Sequence, residues 1–93
     1  MAEIRDIIGR RPLKVRARFF AVYREKAGRR EQEVELEEGA DAAALLRYLG
    51  DEFGGPFTSS DSLVVAVNGE YVPLSHVLKE GDEVALIPPV SGG

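Results

Sequence analysis

The apolar residues of this chain change their period once in each direction. Up to Leu36 they alternate with polar ones; from Asp41 to about Gly54 they recur at helical spacing; beyond Ser62 the strand-like pattern returns. A single helical stretch set between strands requires a sheet with the helix laid across it, because neither element can bury its apolar side alone. At 93 residues the chain can build one such core and is too short for two.

The first strand reads from Leu13 to Val22. Val15, Ala17 and Phe19 alternate with Lys14, Arg16 and Arg18, and Phe20 then breaks the polar face. A polar turn containing Gly28-Arg29-Arg30 leads into Gln32–Glu37, where Val34 and Leu36 point inward, so the two runs predict a hairpin. Lys14, Arg16 and Arg18 then face Glu33, Glu35 and Glu37 across it. Opposite charges in such pairs contribute roughly 0.2–1 kcal/mol each, and a solvated face explains them without a ligand.

Asp41 fits the N-cap of the helix, since its carboxylate accepts first-turn amides and complements the dipole. Leu45, Tyr48 and Leu49 stand one turn apart, and Gly54-Gly55-Pro56 stops the helix. Asn68-Gly69 is a strong hairpin signal between the run 62–67 and Tyr71-Val72, with Pro73 closing the return strand. Glu80-Gly81-Asp82 is a further turn before a final buried strand, Glu83–Ile87. The expectation is an α+β fold: a mixed sheet of four to five strands packed on one main helix. Residues 1–12, with Ile4, Ile7 and Ile8 at helical spacing, read as an N-terminal extension, residues 13–89 as the domain, and 90–93 as a flexible tail.

Composition removes several function classes. The chain is 44% hydrophobic and 30% charged, as ordinary globular domains are. A net charge of -4 argues against nucleic acid as a main partner. There is no cysteine, hence no disulfide, thiolate metal site or thiol nucleophile. His76 is the one histidine, too few for an imidazole metal cluster, and its neighbour Ser75 points the other way on an extended segment. His76 reads as structural, and no metal site is expected. Neither phosphate-binding glycine motif occurs. No apolar stretch approaches the roughly 20 residues needed to span a bilayer. The N-terminus is too charged for a signal-peptide core, so the expected compartment is the cytoplasm.

The end of the chain reads Ile87-Pro88-Pro89-Val90-Ser91-Gly92-Gly93. Pro88 and Pro89 lack amide hydrogens and do not continue a central ladder, so they send the last residues out of the sheet. A frayed terminus would need no such launch. Gly92 and Gly93 have no Cβ, which suits a tail that enters a narrow channel, where the reactive group would be the terminal carboxylate. A carboxylate is a poor electrophile, and its simplest activation is an acyl-adenylate made from ATP on a separate enzyme.

Gly81–Gly93 resembles the C-terminus of the MoaD group of ubiquitin-like sulfur carriers, the small subunits of molybdopterin synthase. Phe19-Phe20-Ala21-Val22-Tyr23-Arg24-Glu25 is similar to that family's first strand and the turn after it, and Val67-Asn68 to its central A-V-N. The resemblance runs from about Leu13 to Gly93. It implies a ubiquitin-like β-grasp with the last strand beside the first. It also implies that Gly93 is adenylated by an E1-like enzyme of the MoeB type, which uses the ATP, and is then thiocarboxylated. The tail Pro88, Pro89, Val90, Ser91 and Gly92 would then enter a large subunit of the MoaE type. The implied docking patch falls on Phe20, Tyr71 and Ile87. From the residues alone, Phe20 and Ile87 read equally as exposed anchors or as core. No bound cofactor is implied, nor catalysis by the chain alone. The alternative is a protein modifier joined to lysines through Gly93, as archaeal relatives of the family are. A thiamine-pathway carrier fits the Pro-Pro-Val launch less well, and the bland third class is an interaction domain with an inert tail.

Overall fold

The computed structural model describes residues 12–58 and 63–88. The N-terminal arm up to position 11 and the expected tail residues Pro89, Val90, Ser91, Gly92 and Gly93 lie outside them.

Chain order is β1 (Pro12–Phe19), α1 (Ala21–Ala27), β2 (Glu31–Glu37), α2 (Ala42–Phe53), a 3-10 turn (Gly55–Thr58), β3 (Val64–Val67), β4 (Glu70–Val72) and β5 (Glu83–Ile87). The sheet runs β2-β1-β5-β3-β4. β1 pairs parallel with β5, and the other neighbours are antiparallel. The last strand therefore lies beside the first, and the mixed sheet is a β-grasp.

The alternation of β1 holds, with Leu13, Val15, Ala17 and Phe19 buried, but the strand stops at Phe19. The polar turn expected between β1 and β2 begins instead with a helix. Tyr23 and Ala27, one turn apart, are its buried residues, and Gly28 closes it at φ 75°, a conformation open to glycine. Ala21 enters it at φ 50°, so the chain changes direction within one residue.

Asp41 caps α2 as expected, its carboxylate accepting from the Ala44 amide at 2.9 Å. The Leu74 and His76 carbonyls accept from the Ala43 and Ala42 amides, both at 3.0 Å. His76 thus supports the helix start through its backbone. Leu45, Leu46 and Leu49 are buried on the sheet, whereas Tyr48, read as part of that stripe, is 37% exposed. Leu46 takes the position instead, because the buried stripe turns toward the 3-10 segment. There Phe19, Tyr23, Phe53 and Phe57 form an aromatic cluster, with centroids 5.2–6.1 Å apart. Edge and tilted contacts of this kind add to simple burial. They fix α1 and the 3-10 turn to the end of the sheet where β1 and β5 finish.

At the opposite end β5 is latched. Asn68 and Gly69 both have positive φ, as a type I′ hairpin requires. The Asn68 side-chain amide donates to Asp82 Oδ1 at 2.9 Å, and its oxygen accepts from the Glu83 amide at 3.0 Å. Asp82 is nearly buried, and its Oδ2 accepts from the Lys79 amide at 2.8 Å.

Candidate functional site

β1 and β5 run parallel with Phe19 opposite Leu86, so both chains leave the sheet at one end. β1 passes there into α1, and β5 passes through Ile87 into Pro88, the last described residue of this stretch. The expected tail therefore starts from a strand held on both sides, by β1 and by β3. A reactive terminus beyond it would have a fixed origin.

The sheet has two unlike faces. Val84 and Leu86 of β5 are fully buried in the core that also holds Leu45 and Leu49 of α2, while Glu83, Ala85 and Ile87 turn to the outer face. Register carries that face across the molecule. Arg18, Ala85, Ala66 and Tyr71 stand in one row over β1, β5, β3 and β4, and Ile87 stands opposite Val64 in the next. Tyr71 is 77% exposed and Phe20 40% exposed. Phe20 is therefore not core, and Ile87 lies on the face away from it. The Arg18 guanidinium stands 5.7 Å from the Phe20 ring centroid, within cation–π range. All three expected docking residues thus edge one outer surface. Val64, Ala66 and Ala85, which complete its apolar strip, were missed. Their signal was the run of uncharged outward positions on β3 and, after Glu83, on β5, unlike Lys14, Arg16 and Arg18 on β1.

The charged part of this face neutralises itself loosely. Lys14 and Arg16 stand opposite Glu35 and Glu33 as expected, but Glu37 faces Pro12. Arg16 pairs with Glu31 at 3.8 Å and Arg18 with Glu83 at 3.7 Å, the second reaching across to β5. Both are exposed, so each contributes about 1 kcal/mol at most. Among the described residues no helix is long and apolar enough to cross a membrane.

The comparisons with known proteins agree with this geometry. Residues 17–93 match the family model described as the ThiS family. A molybdopterin synthase sulfur carrier subunit from Chlamydomonas reinhardtii is 40% identical over 83 residues, covering 87% of this chain and 100% of that protein. A solved structure from Pyrococcus furiosus, described as molybdopterin converting factor subunit 1, superposes with a TM-score of 0.72 at 34% identity. It covers 84% of this chain and 99% of that one. Small archaeal modifier protein 1 from H. volcanii superposes with a TM-score of 0.73 at 30% identity, with coverage of 84% and 99%.

Proposed function

The chain belongs to the ThiS family, and we propose that it serves there as the sulfur carrier subunit of molybdopterin synthase. The Gly93 carboxylate attacks the α-phosphate of ATP on a separate, E1-like activating enzyme. Pyrophosphate leaves and an acyl-adenylate forms. Sulfur at the sulfide level, HS−, then displaces AMP, leaving a thiocarboxylate at Gly93. Within the complex formed with the large subunit, that sulfur bonds to the pterin precursor, water cleaves the acyl C–S bond, and the carboxylate returns for another cycle.

Each part of the chain has one task in this reading. Gly92 and Gly93 keep the tail narrow, and Pro88 and Pro89 turn it out of the ladder, while Val90 and Ser91 span the approach. Phe20, Tyr71 and Ile87 seat the scaffold against its partners. The chain supplies no catalytic side chain and holds no cofactor of its own; ATP belongs to the activating enzyme. What supports the reading most is the family match running through Gly92-Gly93, joined to a β5 that ends beside an exposed apolar face.

Removing Gly93 tests it. The full chain supports ATP–pyrophosphate exchange by its cognate activating enzyme, and the shortened chain does not. Unchanged exchange by the shortened chain contradicts the reading. The likeness to an archaeal modifier favours a second reading, in which the same adenylated Gly93 is joined to lysines. Branched Gly-Gly remnants on other proteins of the native cell would be its signature.

A further inference from the structure

The charges of this chain are sorted along its length. Positions 12–30 hold seven Lys or Arg residues and one acid, Glu25; positions 31–93 hold two, Arg47 and Lys79, against thirteen Asp or Glu residues. Arg16 and Arg18 find Glu31 and Glu83. Arg24, Arg29 and Arg30 find no such partner among the described residues. They border one open hollow with Ala21, Glu25 and Gly28. All three are exposed, and no ion pair holds their guanidinium groups among the described residues.

Their place in the fold gives the cluster meaning. The Phe19 amide donates to the Arg30 carbonyl at 2.8 Å, which sets Arg29 and Arg30 at the end of β1. Because β5 runs parallel to β1, this is also the end where the chain leaves through Ile87 and Pro88. A chain of net charge -4 thus gathers three cations without an ion pair among the described residues at the end where β5 leaves the sheet.

We propose that Arg24, Arg29 and Arg30 dock a carboxylate-rich patch on the enzyme that activates the terminal carboxylate. The inference rests on the sulfur-carrier reading above. Close guanidinium groups repel one another, and a facing set of carboxylates relieves that repulsion with paired hydrogen bonds. The charge separation also orients the approaching domain: an acidic partner attracts this end and repels the Glu-rich remainder. A small phosphate ligand fits the cluster less well. The Gly28 amide is already donated to the Arg24 carbonyl at 2.9 Å, and α1 has only seven residues.

The test uses the full chain and its cognate activating enzyme, with ATP–pyrophosphate exchange followed over a range of chloride concentrations. Wild-type kcat/KM falls steeply with salt. The double variant Arg29→Glu/Arg30→Glu loses about tenfold or more at low salt, through KM, and its salt dependence flattens. Its unfolding midpoint stays at the wild-type value, and Arg29→Lys/Arg30→Lys keeps most of the rate. A double variant with wild-type KM and salt dependence overturns the proposal while leaving the carrier reading intact. So does inhibition of the wild type by inorganic phosphate beyond that of chloride at equal ionic strength, if the double variant loses it. A wild-type chain that the enzyme neither binds nor activates overturns the carrier reading and this surface together.

Discussion

The two faces of the sheet use the same strands for opposite ends. On β5, Val84 and Leu86 have no exposure, while Ala85 and Ile87 between and beside them stay half open. On β1, Val15, Ala17 and Phe19 are sealed while Lys14, Arg16 and Arg18 meet solvent. Transfer of apolar surface out of water accounts for the inner face completely. It does not account for Tyr71, Phe20, Val64 and Ile87 on the outer one, where apolar residues remain in water. The inner face stabilises the scaffold, and the outer face leaves apolar residues in water, as a surface for another molecule would.

The sharpest way to break this contrast is to shorten neighbouring residues of β5. Leu86→Ala should cost about 2–5 kcal/mol, read as a lower denaturant midpoint. Ile87→Ala, one residue on, should cost about 1 kcal/mol or less. Equal losses from the two variants would mean that the faces do not differ. Asp82→Ala should fall between them, at about 1–3 kcal/mol, because it strands the Lys79 amide and the Asn68 side chain at the start of β5. On the outer face, Tyr71→Ala should leave stability within about 0.5 kcal/mol. It should still weaken large-subunit binding by about tenfold or more, as anchor residues do. Unchanged affinity in a calorimetric titration would remove Tyr71 from the docking surface.

The smallest effect concerns the aromatic cluster beneath the tail-bearing end. Burial raises the Tyr23 hydroxyl above its ordinary value of 10.0. The unfolded chain therefore loses this proton first as the medium becomes alkaline. The stabilisation is complete below pH 10 and is lost as pH rises through the folded-state value. Denaturant midpoints above pH 10 should fall for the wild type and fall less for Tyr23→Phe.

Much of this was legible because it depends on local backbone chemistry. Asn68-Gly69 fixes its own turn, Asp41 caps its own helix, and Pro73 ends its own strand. α1 was hidden because Phe20, Ala21 and Val22 extend the apolar character of β1 past its end. The readable sign was Tyr23 and Ala27 one turn apart, followed by Gly28. The role of Asp82 could not be read, since its partner Asn68 is fourteen residues away. Tyr48 was misplaced because periodicity gives a stripe but not its exact centre, which the aromatic cluster sets. Of the outer face, Phe20 and Ile87 were visible as breaks in alternation. Val64, Ala66 and Ala85 were not, because small apolar residues in a strand look the same on either face.

The central claim is that the scaffold only presents a carboxylate, at Gly93, on which another enzyme acts. Intact-mass analysis after incubation with the activating enzyme, ATP and a sulfur donor tests it directly. The account predicts a mass gain equal to the exchange of one oxygen for one sulfur, confined to the C-terminal fragment. It further predicts no gain for Gly92→Val, whose unfolding midpoint matches the wild type. Sulfur found elsewhere in the chain, or a Gly92→Val variant loaded as readily as the wild type, would contradict it.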